Sequence, residues 1–260
     1  MTNVTSIRTA LLVPALNEEA GLERTARMMR DAVDSGVVSQ AVVLDGGSAD
    51  HSVDVVRRAG VDVLSVADLL PNLGEVLGKG DSLFRGVRSV DADWYVFLDA
   101  DLGNVSLDHV RALVAPIGTD GVVFVKGGFV RVDDAGRPRE VPGGRVTEEL
   151  VRPLLAAKAP DLARLSQPLS GQVALRGDVA RSMRFVTGYG IEIAMLFDIW
   201  RDHGMGAIVE ADMGEVQNRF KPDVDLGDVI ADVTSALATI GLVSEVGVNE
   251  LAVRIPSEVI

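Results

Sequence analysis

An apolar run closes on two aspartates at Trp94-Tyr95-Val96-Phe97-Leu98-Asp99-Ala100-Asp101. If the run is a strand and persists that far, alternation puts Asp99 and Asp101 on the same side. Two carboxylates at a buried strand end repel each other unless a cation lies between them. A hard divalent ion suits them, and Mg²⁺ or Mn²⁺ completes its shell with water and substrate phosphates. A bare Asp-x-Asp is also an ordinary acidic turn. Its position after an apolar strand brings the metal reading level with that alternative.

Three further segments hold residues suited to a phosphorylated ligand. Pro14-Ala15-Leu16-Asn17-Glu18-Glu19 offers backbone and an acid to a nucleoside, and Asn17 can equally cap a helix. Asp45-Gly46-Gly47-Ser48 combines glycines that permit close backbone approach with a hydroxyl that can donate to a base or phosphate; it also reads as a plain turn. Lys79, between Gly78 and Gly80, can reach a pyrophosphate unobstructed or sit in solvent. The full phosphate-loop spacing is absent, as is G-x-G-x-x-G after the first strand, which counts against a dehydrogenase. His51, His109 and His203 stand apart, without metal-ligand spacing or a Ser-His-Asp pattern.

The elements that must position these groups follow from the apolar pattern. Strands are expected at Ala10–Val13, Gln40–Leu44, Val61–Ser65, Trp94–Leu98 and Gly121–Phe129, with helices from Asn17 to about Val33 and through Arg58. Leu69–Gly80 is irregular. Later come helical segments over Val146–Arg164 (broken near Pro153 and Pro160), Gly190–His203 and Leu226–Val243, with strands at Leu169–Leu175 and Ala207–Ala211. Alternation of this kind specifies a mostly parallel α/β sheet flanked by helices, with ligands at the carboxyl edge of its strands. The motifs after the first, second and fourth strands fall on that edge. One compact unit is expected, with a nucleotide-binding half over 1–130 and an acceptor-binding half over 131–260.

The 260 residues include no cysteine, which excludes disulfides and thiolate chemistry and makes a cytoplasmic protein the default. The formal charge of −13 disfavours nucleic acid and anionic lipid as partners. An anionic small molecule then needs local positive charge or a bound cation. No apolar stretch reaches the ~20 residues of a membrane span.

Taken together, the segments resemble the glucosyl-3-phosphoglycerate synthases, retaining glycosyltransferases with the GT-A fold, from about Leu11 to Asn218. The resemblance rests on the segments above together with Val125-Lys126, Gly143-Gly144-Arg145-Val146-Thr147-Glu148, Arg152-Pro153-Leu154-Leu155, Gln167-Pro168-Leu169 and Gly188-Tyr189-Gly190-Ile191-Glu192-Ile193, in that order and spacing. It implies a UDP-glucose donor held by Pro14, Ala15, Leu16 and Glu18, with Asp45 and Ser48 nearby and Lys79 at the diphosphate. Asp99, Asp101 and Glu192 would serve the sugar nucleotide, and Asp101 the Mg²⁺ or Mn²⁺. Gly144, Arg145 and Thr147 would grip a small acceptor, and a homodimer is a family expectation.

The chain departs from the family at three places. Asn218 stands where the family has a metal-binding histidine, and Phe220 where it has a polar residue near the acceptor phosphate. Gly171-Gln172 replaces a Gly-Glu pair. Phe220 implies that 3-phosphoglycerate is a poor acceptor, or that a larger acceptor with an apolar or ring portion is preferred. The expected reaction is transfer of a hexose to an acceptor hydroxyl; a sugar nucleotidyltransferase and a non-catalytic nucleotide-sugar binder are the alternatives.

Overall fold

The computed structural model describes residues 7–217, 226–243 and 253–255. In chain order they form β1 (Thr9–Ala15), α1 (Glu19–Asp34), β2 (Gln40–Asp45), α2 (Ser52–Arg58), β3 (Asp62–Ser65), α3 (Lys79–Ser89), β4 (Trp94–Phe97), α4 (Leu107–Val114) and β5 (Phe124–Arg131). A π-helical turn at Val146–Val151 runs into α5 (Arg152–Lys158), followed by α6 (Pro160–Ala163), β6 (Val173–Arg176), α7 (Gly177–Ser182), β7 (Phe185–Val186), α8 (Ile191–His203), β8 (Ile208–Val216), α9 (Leu226–Thr239) and β9 (Val253–Arg254).

Seven strands make one sheet in the order β3-β2-β1-β4-β6-β5-β8, and β6 alone runs antiparallel to its neighbours. The mostly parallel α/β architecture expected from the alternation is therefore present. The chain steps outward from β1 to β3 and returns to β4 on the other side of β1. That reversal is a switch point, where diverging loops leave a crevice at the carboxyl edge. Strand alternation supplies a core on each face. Leu12, Tyr95 and Phe97 pack on one side with α3, α8 and α9; Leu11, Val13 and Val96 pack on the other with α1 and α4. The sheet crosses the midpoint of the chain, since β6 inserts between β4 and β5.

Several expectations change. Asn17 does not cap α1: it adopts φ 55°, Glu18 takes the cap position, and Asn17 Oδ1 accepts from Ala49 N–H at 2.9 Å. β4 ends at Phe97, so strand alternation does not orient Asp99 and Asp101. Lys79 is not in a loop but opens α3. Pro153 ends no helical run, standing where the π-turn passes into α5; the break falls at Ala159, which leaves the helical region at φ -146°, ψ 67° ahead of Pro160. His109 is structural: its Nδ1 accepts from Ser106 N–H, 3.3 Å away, at the start of α4.

Candidate active site

The loops after β1 and β2 are sewn together. Ser48 Oγ accepts from Asn17 N–H at 2.9 Å, Ser52 Oγ from Glu18 N–H at 2.8 Å, and Ala15 O from Gly46 N–H at 2.9 Å. Asp45 folds its own turn by accepting from Ser48 N–H at 3.1 Å and Gly47 N–H at 3.3 Å. These bonds present Pro14, Ala15, Leu16 and Glu18 to a large open cavity of about 1660 Å³. Asp45 and Ser48 are not among the cavity-lining residues; they shape the loop that is. Asp50, not singled out from the sequence, does line it, accepting from Glu19 N–H at 3.1 Å and Ser52 N–H at 2.9 Å.

Three elements meet at Lys79. Its ammonium, at the N-terminus of α3, donates to Asp99 after β4 and to Glu192 in the first turn of α8. Burial alone pulls a lysine down, but here the two carboxylates outweigh it and hold the ammonium firmly protonated. Lys79 is thus no solvated lysine. Gln172 Nε2 donates to the second oxygen of Asp99 at 2.8 Å, and Gln172 Oε1 accepts from Ser170 Oγ at 2.8 Å. Gly171, between them, leaves room for the pair: a Cβ there would lie 2.6 Å from Asp99 and 2.7 Å from Lys79 Nζ and would push their charged ends aside. The sequence departure at Gln172 therefore falls on a direct contact with Asp99. Below this cluster the fully buried Lys126 donates to Ser170 O at 2.6 Å, and burial brings its pKa down to about 7.

The opposite wall comes from the loop before the π-turn. Gly143 N–H donates to Glu148 at 3.1 Å, Arg152 pairs with Glu148 at 2.7 Å, and Gln167 Nε2 ties Phe129 O to Pro142 O at 3.0 Å each. Gly144, exposed Arg145 and buried Thr147 are thereby set on the cavity, joined by Arg131 from the end of β5. Arg131 was missed because the expected strand stopped at Phe129; the strand continues to Arg131, whose place at a carboxyl end is the signal that marks it. A third wall is α9, where Asp232 accepts from Tyr189 N–H at 2.9 Å. Asn218 and Phe220 lie outside the described residues.

A volume of this size exceeds the roughly 300–1,000 Å³ of a single-ligand pocket, so two substrates can occupy it together. Residues 10–162 match glycosyl transferase family 2. A glucosyl-3-phosphoglycerate synthase of Mycobacterium tuberculosis is 36% identical over 88% of this chain and 72% of its own length. The chain belongs to this glycosyltransferase family.

A synthase of the same name from Petrotoga mobilis is 32% identical, over 80% of the chain and 65% of its own. Among solved structures, the M. tuberculosis synthase in complex with Mn²⁺, UDP-glucose and phosphoglyceric acid superposes with a TM-score of 0.87 at 32% identity, over 98% of this chain and 91% of that one. The same enzyme with Mg²⁺ and UDP gives 0.84 at 32% identity, over 96% and 87%. The GT-A fold is thereby shown for this glycosyltransferase.

The residues present fit a divalent cation. Asp101 lines the cavity and brings a hard oxygen donor to it, and Asp99 is bonded to Lys79 and Gln172. Among the described residues no three His, Cys, Asp or Glu side chains converge as a metal site. Mg²⁺ and Mn²⁺ tolerate one protein carboxylate when phosphates and water complete the shell.

Proposed function

We propose that this chain is a cytoplasmic, retaining glucosyltransferase that moves glucose from UDP-glucose to a hydroxyl of 3-phosphoglycerate or a closely similar anionic acceptor. The observation that carries this reading is the two-sided cavity, with Lys79, Asp99 and Glu192 on one wall and Arg131, Arg145 and Thr147 on the other. The 36% identity to a glucosyl-3-phosphoglycerate synthase supports the choice of substrates. The expectation that 3-phosphoglycerate is a poor acceptor rests on Phe220 alone, and the walls described here favour an anion.

In this reading the loop after β1 takes the nucleoside. Asp101, with Asn218, would hold Mg²⁺ or Mn²⁺, which when bound supplies charge stabilisation to the departing diphosphate. The N-terminus of α3 directs its backbone dipole toward the same anion. Lys79 pairs with Asp99 and Glu192, whose carboxylate oxygens would accept from sugar hydroxyls. Because both carboxylates are held by Lys79, neither stands ready as a nucleophile, which favours departure and attack on one face of the sugar. The arginine wall orients the acceptor, and holding both substrates in reacting geometry supplies much of the rate.

UDP-glucose, Mn²⁺ and 3-phosphoglycerate should give UDP and a product heavier by one hexosyl residue. Excess chelator should abolish turnover, and Asp101→Ala should lower it by about 2–4 orders of magnitude. Full turnover in either condition contradicts the role of Asp101.

A further inference from the structure

Arg131 is the last residue of β5 and lines the cavity. Its Nε is buried and has no hydrogen-bond partner. Burial works against its charge, Arg139 adds repulsion, and Asp101 offsets part of this. Its Nη1 fills the space in front of Gly144, where a Cβ would collide with it; Gly144 also holds φ +81°, which few other residues adopt. The chain as a whole carries −13, yet two arginines, Arg131 and Arg145, meet on this one wall. A guanidinium withdrawn from water with a donor unused is unfavourable by itself. An anion in the cavity supplies both the missing acceptor and the missing charge, and the planar fork suits carboxylate or phosphate.

We propose that Arg131 is a specificity-determining residue of the acceptor subsite, donating to an anionic group of the acceptor, carboxylate or phosphate, with Arg145 as its exposed partner. This rests on the transfer reading above. The competing role is support of Asp101, which would place the effect on the donor side instead.

The test is steady-state kinetics with UDP-glucose, Mn²⁺ and 3-phosphoglycerate on wild type, Arg131→Met and Arg131→Lys, alongside calorimetry of UDP and Mn²⁺ binding. In Arg131→Met, kcat/KM for the acceptor should fall by about 10- to 100-fold, chiefly through KM, while UDP affinity stays within about twofold. Arg131→Lys keeps the charge and should recover part of the loss. Glycerate and glycerol 3-phosphate, used as competitors, separate the two anion sources: the one whose inhibition disappears in Arg131→Met marks the group Arg131 holds. An unchanged acceptor kcat/KM, or UDP binding weakened in parallel, overturns the assignment. If the wild type does not glucosylate 3-phosphoglycerate, the transfer reading fails separately. The arginine is then judged by calorimetric binding of inorganic phosphate to the protein loaded with UDP and Mn²⁺. Binding by wild type but not Arg131→Met sustains an anion subsite; no binding by wild type, or equal binding by both, overturns it.

Discussion

Lys126 shows how far a single residue in this site departs from its ordinary chemistry. It is fully buried, and burial lowers its pKa to about 7, with Glu192 pushing back and Lys79 adding to the shift. An unfolded lysine titrates near ~10.4. Above about pH 7 the folded protein has therefore released a proton that the unfolded chain still binds. Stability contributed through this group rises with pH up to the unfolded pKa, by at most about 1.4 kcal/mol per pH unit, and below the folded pKa its slope vanishes. Thermal melts should show wild type gaining on Lys126→Met as pH is raised from neutral toward roughly 10; a constant gap contradicts the depressed pKa. At this scale the sequence was legible by residue type at Asp99, while Lys79 read equally as solvated and Glu192 entered only through the family resemblance. Asp99, Lys79 and Glu192 lie far apart in the chain and meet in one ion-paired cluster. It was illegible where role depends on neighbours. Asp45 and Ser48 accept from backbone N–H groups and shape the loop beside the cavity, and Asp232 reaches the site because α9 packs there.

Among the elements, α3 carries Lys79 to the cavity, and its first turn is fixed by Asp81. That buried carboxylate accepts from Leu77 N–H at 2.9 Å, from Arg85 Nε at 3.2 Å and from Arg254 Nε of β9 at 2.9 Å. Burial works against its charge, but the hydrogen bonds from Arg254 and Arg85 outweigh that and keep it ionised. Arg254 thus links the far end of the chain to the turn that aims Lys79. Arg254→Ala should cost about 1–3 kcal/mol of stability, since Arg85 still pairs with Asp81. It should also weaken UDP binding in calorimetry; unchanged melts and unchanged affinity together contradict the linkage. The early strands and α1 were readable because their apolar periods are strong locally, although the expected Asn17 cap is not made. The start of α3 was not, because Gly78 and Gly80 flank Lys79 in a stretch that reads as loop. Gly80 is required there for another reason, the close approach of Val186 O from β7. The antiparallel run of β6 is likewise set by partners distant in sequence, β4 and β5, and no local signal reports it.

At the scale of the molecule, one sheet brings the loops of its carboxyl edge and an arginine wall to the two sides of one cavity, in a chain whose net charge is −13. Overall charge argues only against large polyanions; it leaves room for a small anion met by a cation and a few arginines. Among the described residues no helix is long and apolar enough to cross a membrane. The sheet class and its ligand-bearing edge were legible from strand–helix alternation, whereas the two-sided character of the cavity emerges only once β5, β6 and the loop before the π-turn are in place. A donor and an acceptor bound together, reacting on one face of the sugar, is the central claim. The most direct measurement is the structure of the product formed from UDP-glucose and 3-phosphoglycerate with Mn²⁺, by mass spectrometry and anomeric NMR. An α-linked glucosyl product of 3-phosphoglycerate, released with UDP in equal amounts, is the expected result. A β-linked product, free glucose alone, or no UDP release would contradict it.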